Sequence, residues 1–135
     1  MAAKILVVDD ERPVREVVTL FLARAGYEAV RAADGRVALE LAEKEAPGLI
    51  ILDMRMPGLH GLDTCRELRS RQQTRRTPIL ALTAYVENER EALDAGVNDF
   101  LTKPFQPEDL MARVKALLKS SHPENGAEQA LTYSR

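Results

Sequence analysis

The chain has 135 residues with a formal net charge of −2 at pH 7, one cysteine, no tryptophan, and no apolar run approaching the about 20 residues of a membrane span. One domain fits this length, Cys65 excludes an internal disulfide, and the lack of a second thiol or a histidine cluster argues against structural zinc and for a reducing, cytoplasmic compartment. The near-neutral charge and the few aromatic rings give no reason to expect nucleic acid or a membrane as a partner.

Apolar segments and amphipathic segments alternate along the chain. The apolar segments predict strands at 4–9, 27–31, 49–53, 79–83 and 97–101. Between them, helical spacing predicts helices that start at 13, 35, 61, 87 and 107 and end before Gly26, before Pro47, at 69, at 95 and near 119. We expect the apolar stripes of the first two helices to face the core: Val14, Val17, Val18, Phe21 and Leu22, then Val37, Ala38, Leu41 and Ala42.

The stretch 49–53, LIILD, has four consecutive apolar residues before a carboxylate, which predicts a strand buried on both faces. Five strands that alternate with five helices through short connections predict an α/β fold: a doubly wound, five-stranded parallel sheet flanked by helices. We assign residues 1–119 to this domain. Residues 120–135 are polar and aperiodic, and we expect a flexible tail there and no output domain.

Polar side chains follow four of the five predicted strands: Asp9, Asp10, Asp53, Thr83 and Lys103. Because the carboxyl ends of parallel strands meet at one sheet edge, we expect them to converge. Two carboxylates about 4 Å apart repel by about 4 kcal/mol at an effective dielectric of 20, so this cluster needs a cation, and oxygen ligands in an open site suit Mg²⁺. Asp9 and Asp10 would hold the metal. Asp53 would form an acyl phosphate, with Lys103 pairing the phosphoryl charge and Thr83 donating a hydrogen bond to it.

Each of these residues also has a structural interpretation. Asp53 alone is typical of a turn or cap, and the two aspartates after the first strand would favour the N-terminus of the next helix. Thr83 alone is typical of a strand end, and Lys103 alone of a solvated surface. Their joint occurrence at four strand ends favours the chemical interpretation.

Two further features are interpreted structurally. Cys65 lies on the predicted apolar face of the third helix, which indicates a core thiol. A basic run lacks interleaved aromatic residues and is interpreted as a solvated helix end and loop: Arg66, Arg69, Arg71, Arg75 and Arg76.

Four motifs in order, ILVVDD at 5–10, IILDMRMPG at 50–58, ALTA at 81–84 and KPF at 103–105, strongly resemble the receiver domain of two-component response regulators over about residues 4–119. The resemblance implies a flavodoxin-like sheet of strand order 2-1-3-4-5. It also implies that Asp53 accepts a phosphoryl group from a histidine kinase or histidine phosphotransfer protein. Mg²⁺ would be bound by Asp10, Asp53 and the backbone carbonyl of Arg55, with Asp9 reached through water.

The resemblance implies a switch as well. The hydroxyl of Thr83 would move toward the phosphoryl group, the ring of Phe100 would turn inward, and the face of the fourth helix, fifth strand and fifth helix would change its affinity for a downstream protein. Phe100 lacks the hydroxyl that many relatives carry, so its switching would rest on packing. Lys103-Pro104 would be a cis peptide, and Arg55 and Tyr85 would tune the phosphoryl lifetime. A homodimer is left open.

The leading hypothesis is a phosphorylation-operated signalling switch of a two-component system or phosphorelay, which catalyses its own phosphorylation and slow dephosphorylation and is no metabolic enzyme. The alternative is a phosphorylation-independent adaptor of the same fold. A flavin or nucleotide binder is disfavoured because the acidic segment 9–11 would repel phosphate and no glycine-rich phosphate loop is present.

Overall fold

The structure is a computed structural model that describes residues 3–55, 61–84 and 89–120. In these ranges the elements are β1 (Lys4–Val8), α1 (Arg12–Arg24), β2 (Glu28–Ala32), α2 (Gly35–Glu45), β3 (Leu49–Asp53), α3 (Gly61–Ser70), β4 (Ile79–Thr83), α4 (Glu89–Ala95), β5 (Asp99–Thr102) and α5 (Pro107–Ser120). Residues 121–135 of the predicted tail, Tyr85, and motif residues 56–58 lie outside the described residues, and Ser120 is the last residue of α5. No helix in the described ranges is both long and apolar enough to cross a membrane.

The five strands form one parallel sheet of order β2-β1-β3-β4-β5, which confirms the predicted fold class and strand order. In the register, Val8 lies beside Leu52, Asp53 beside Leu82, and Thr83 beside Thr102. The carboxyl ends of four strands therefore finish within about one residue of each other. This alignment brings residues from distant parts of the chain to one edge.

Helices cover both faces of the sheet. Since successive strand residues point to opposite sides, each face has its own buried cluster. One buried cluster contains Leu6, Val8, Ile50 and Leu52 from the strands with Ala38, Cys65, Leu68 and Ala92 from α2, α3 and α4. The other contains Ile5, Val7, Ile51 and Leu82 with Val18, Leu22, Leu110 and Val114 from α1 and α5. All five residues of β3 are buried, as the sequence predicts, and Cys65 is a core thiol.

Two residues that were predicted to face the core do not. Val17 is 45% exposed and Val37 is 38% exposed. The sheet contacts a narrower arc of each helix than the apolar stripe covers: Val18 and Leu22 point at the sheet in α1, and Val17 is rotated from Val18 by about 100°. Apolar periodicity alone does not tell which edge of a wide stripe reaches the core.

The fifth strand begins two residues later than predicted. The backbone N–H of Val97 donates to Ala92 O at 3.1 Å, so Val97 belongs to the turn that ends α4, although its side chain is buried. Pairing starts after the N–H of Asn98 donates to Ile79 O at 2.9 Å. The other strand bounds differ from the predictions by at most one residue, as expected for element ends.

Candidate functional site

The turn after β1 presents two carboxylates. The N–H of Asp9 extends the sheet by donating to Ala32 O at 3.1 Å, and the side chain of Asp9 is fully buried. Its Oδ1 accepts from the N–H of Glu11 at 2.9 Å, which closes a tight turn just before α1. The turn leaves Asp10 exposed to solvent. One carboxylate is therefore fixed inside the site and the next lies at its mouth.

Asp53 ends β3 and is only 3% exposed. Its Oδ1 accepts from the N–H of Arg55 at 3.1 Å, and the N–H of Met54 donates to Leu82 O at 2.9 Å, so the strand end is tied to β4. A Cβ at Gly61 would lie 2.4 Å from Met54 Cα and 2.7 Å from Asp53 O. Glycine therefore allows α3 to pack directly against the backbone that carries Asp53.

Lys103 places an ammonium group beside two of these carboxylates. Its N–H donates to Thr83 O at 2.8 Å, which places it directly after β5 pairs with β4. Its Nζ lies 3.0 Å from Asp9 Oδ2 and 3.5 Å from Asp53 Oδ2, and its side chain is 17% exposed. The peptide bond before Pro104 is cis, in agreement with what the family resemblance implies. One ammonium thus pairs with two buried carboxylates.

Asp9, Asp10 and Asp53 bring carboxylate oxygens within 4.8 Å of one another, a spacing at which they could hold one metal ion. A cleft of about 230 Å³ opens beside them and is lined by Asp10, Glu11, Asp53, Arg55, Ala84 and Lys103. Oxygen ligands favour a hard cation, and an open cleft leaves room for its waters, so the residues fit Mg²⁺. The structure therefore brings together the acidic residues that the sequence predicts.

The two proposed switch residues lie on the neighbouring strands β4 and β5, Thr83 at the end of β4 and Phe100 near the start of β5. Thr83 is buried at the end of β4, with 1% exposure, and Phe100 is partly buried on β5, paired with Ala81. Phe100 packs against the core cluster under α2, α3 and α4 and does not line the cleft. The pairing of β4 with β5 connects the strand of Phe100 to the strand that ends at Thr83.

Burial decides the direction of the pKa shift at Asp53 but not at Lys103. Desolvation raises the pKa of Asp53 to about 7, with a further increase from the negative charge of Asp9; the Arg55 N–H and the Lys103 charge oppose it. Burial also acts to lower the pKa of Lys103, but its hydrogen bond to Asp9 and the charges of Asp53 and Asp9 outweigh burial and raise it. A second cation beside these carboxylates would favour the ionised Asp53.

Arg15 contacts this site and was not predicted from the sequence. Its Nη1 donates to Asp9 O at 2.7 Å from one turn inside α1. An arginine six residues after Asp9 is a weak signal, because the sequence does not show which way its long side chain folds.

One residue of the basic run, Arg69, is not solvated as predicted. Its guanidinium is half-buried and donates to the backbone oxygens of Thr74, Arg75, Thr77 and Gly96 and to Asn98 Oδ1. By contrast, Arg66 is 60% exposed beside Asp63, and Arg71 pairs with Glu43 and Glu67. Arg69 is therefore a structural link between α3, the loop before β4 and the end of α4, while the rest of the run is surface as predicted.

An apolar groove of about 630 Å³ begins at the site and runs along α1. Glu11 and Lys103 lie at its polar end, and its apolar lining is Pro13, Val14, Val17, Phe21, Pro104, Phe105 and Pro107. The exposed edge of the α1 stripe therefore belongs to a groove that α1 shares with the segment before α5.

A family model described as the response regulator receiver domain matches residues 5–115. Among curated proteins, response regulator MprA of Mycolicibacterium vanbaalenii is 46% identical over 138 residues, covering 99% of this chain and 59% of MprA. Response regulator MprA of Mycobacterium avium is 46% identical over 134 residues, covering 97% of this chain and 58% of that relative. The chain therefore spans less than two-thirds of the length of these relatives.

Solved structures also match this chain over most of its length. Chemotaxis protein CheY4 of Vibrio cholerae superposes with a TM-score of 0.82 at 39% identity, covering 87% of this chain and 99% of that one. The receiver domain of sensor histidine kinase PA1611 from Pseudomonas aeruginosa gives 0.83 at 34% identity, covering 89% and 100%. The crystal structure of that receiver domain has a magnesium ion coordinated in its active-site cleft.

Proposed function

The chain belongs to the response regulator receiver domain family of two-component systems, and from this premise we propose that it is a phosphorylation-operated signalling switch that accepts a phosphoryl group on Asp53. The observation that supports this most is the double pairing of Lys103 Nζ, 3.0 Å from Asp9 Oδ2 and 3.5 Å from Asp53 Oδ2. A buried ammonium between two carboxylates has little value for stability alone, because desolvation offsets much of the attraction. It is well placed to receive the oxygens of an incoming phosphoryl group.

Transfer requires an ionised Asp53. A carboxylate oxygen of Asp53 attacks phosphorus, the P–N bond of a phosphohistidine breaks, and its electron pair returns to the imidazole, which then takes up a proton. The N–H of Arg55 holds Asp53 Oδ1 at 3.1 Å, so the carboxylate plane is fixed before the reaction. A pKa of about 7 in the metal-free protein means that additional positive charge is needed to keep Asp53 fully ionised at neutral pH.

Mg²⁺ bound to the acidic cluster would supply that positive charge. Its ligands would be Asp10, Asp53 and the backbone carbonyl of Arg55, with Asp9 contributing through water. When bound, the ion supplies positive charge that neutralises the phosphoryl oxygens. The three carboxylates have oxygens within 4.8 Å of one another, and two of them are almost fully buried. Such a cluster is at its least stable without a cation, which favours metal capture.

After transfer, Lys103 would pair with one phosphoryl oxygen and Thr83 would donate its hydroxyl to another. Movement of Thr83 at the end of β4 would then reach Phe100 on the paired strand β5 and change the face formed by α4, β5 and α5. Shifting a two-state surface from 1:99 to 99:1 needs about 5.5 kcal/mol, so several new phosphoryl contacts are required. The downstream partner would read this face, in a cytoplasmic setting.

The phosphoryl donor would dock in the apolar groove along α1. The groove starts at Glu11 and Lys103, so a helix seated in it would carry a histidine directly to the cleft. Val17, 45% exposed, and the neighbouring Phe21 offer the apolar contacts that a histidine kinase or phosphotransfer helix would cover. A small donor such as acetyl phosphate needs none of these contacts.

The proposal is tested by incubating the protein with acetyl phosphate and Mg²⁺ and measuring intact mass. We expect one added phosphoryl group on the wild type, none on Asp53→Asn, and one on the control Asp63→Asn, whose side chain is 54% exposed on α3. We expect Thr83→Ala to be labelled but to lose the change in partner affinity, and Lys103→Ala to keep Mg²⁺ binding. Equal labelling of Asp53→Asn would move the site elsewhere, and an unlabelled wild type that still binds its partner would favour a phosphorylation-independent adaptor.

A further inference from the structure

The turn that presents Asp9 and Asp10 is held from three directions. The Asp9 N–H is bonded to Ala32 O at 3.1 Å, and Asp9 Oδ1 accepts from the Glu11 N–H at 2.9 Å. The third contact comes from α1, where Arg15 Nη1 donates to the carbonyl oxygen of Asp9 at 2.7 Å. The backbone N–H of Arg15 also donates to Glu11 O at 3.0 Å, so Arg15 contacts both ends of the turn.

We infer that Arg15 is a positioning residue that fixes the 9–11 turn so that the carboxylate of Asp10 faces Asp53 across the metal site. Asp10 itself is exposed and depends on the backbone of this turn for its direction. The hydrogen bond from Arg15 is charge-assisted and partly buried, which makes it a strong constraint on the Asp9 carbonyl. The inference rests on the proposed function, because the turn is assigned to Mg²⁺ there.

The charge of Arg15 and its hydrogen bond predict opposite effects on Mg²⁺ affinity. The guanidinium that donates to Asp9 O carries a positive charge beside the turn and repels a second cation there, so removing its charge alone would strengthen Mg²⁺ binding. Removing its hydrogen bond would loosen the turn and weaken Mg²⁺ binding, typically by about tenfold or more for groups that orient metal ligands. The sign of the change in affinity therefore separates the two roles.

Arg12 is the matched control. It lies in the first turn of the same helix and carries the same charge, but its side chain is 80% exposed and its Nε bonds Glu16 Oε1 at 2.9 Å. Arg12→Met removes one positive charge near the site without touching the turn. Arg15→Met removes the same charge together with the bond to Asp9 O.

The experiment measures Mg²⁺ affinity by titration calorimetry on the full 135-residue chain, with the thermal midpoint of each variant recorded alongside. We expect Arg12→Met to bind Mg²⁺ as tightly as the wild type or more tightly, and Arg15→Met to bind it about tenfold more weakly. Arg15→Lys keeps a donor of similar reach and should restore most of the affinity. Should Arg15→Met fail to fold, Arg15→Gln carries the same expectation, because its shorter amide does not reach the carbonyl.

The outcomes separate the inference from the proposed function. Arg15→Met that binds Mg²⁺ as tightly as Arg12→Met would overturn the positioning role and leave the metal site intact. A wild type that binds no Mg²⁺ would overturn the proposed metal site and, with it, the inference. Weak binding by Arg15→Lys equal to that of Arg15→Met would also count against the inference, since the restored donor would have no effect.

Discussion

The replacement Asp53→Asn should stabilise the metal-free protein, and by more at high pH than at low pH. Asp53 is 3% exposed and lies near the fully buried Asp9, with Lys103 Nζ 3.5 Å from Asp53 Oδ2. Burial raises the pKa of Asp53 from 3.8 to about 7. The folded state therefore binds a proton on this carboxyl more tightly than the unfolded state does.

The sign and size of this stability difference follow from the linkage between proton binding and folding. A carboxyl with a raised folded-state pKa costs nothing below about pH 4, and its cost grows until the pH exceeds the folded value near 7. At about 1.4 kcal/mol per pKa unit, a shift of about 3 units corresponds to about 4 kcal/mol at pH 8, and to about 2 kcal/mol at pH 5. Asparagine stands in for the protonated carboxyl, so its advantage over the wild type should grow by about 2 kcal/mol between these two pH values.

The assay is urea denaturation of both proteins with a chelator present at pH 5 and pH 8. The control Asp63→Asn, 54% exposed beside Arg66, should track the wild type at both values. A stability advantage of Asp53→Asn that does not increase with pH would refute the assignment of Asp53 as a buried, strained carboxylate. Added Mg²⁺ should stabilise the wild type more than the variant, because the variant lacks one ligand.

Three further predictions concern the scaffold and the groove. Gly61→Ala should lower the free energy of unfolding by about 2 kcal/mol, seen in urea denaturation, because its Cβ would lie 2.4 Å from a backbone atom of the adjoining strand end; unchanged stability would mean that α3 can move away. Arg69→Met should cost about 3 kcal/mol by the same measurement, since it leaves five oxygen acceptors without this donor. The exposed Arg66→Met should cost at most about 0.5 kcal/mol, and equal losses would argue against the structural role of Arg69. Val17→Asp should slow phosphotransfer from a histidine kinase by about tenfold while acetyl phosphate labelling stays unchanged. Leu93→Asp, which changes an equally exposed apolar residue on α4, should leave both rates near the wild-type values, and parallel slowing in both variants would contradict docking along α1.

Most of the fold could be predicted from the local pattern of apolar strand residues. The run 49–53 contains only apolar residues before Asp53, and a strand of this kind is stable only when helices cover both faces. Parallel strands need crossovers, so the alternation of strands and helices left few arrangements, and the structure has the predicted one. The gathering of Asp9, Asp53 and Lys103 at one edge followed from the same rule, although 94 positions separate Lys103 from Asp9.

The sequence by itself determined which residues could form strands and which acids would stand at their ends, because backbone period and strand polarity are local properties. Only the tertiary structure decided that Arg69 turns inward to five acceptors, that Val17 faces a groove, and that Arg15 reaches the carbonyl of Asp9. Each of these depends on distances between elements that are far apart in the chain. A long or apolar side chain has several partners within reach, and the packing of the whole sheet selects among them.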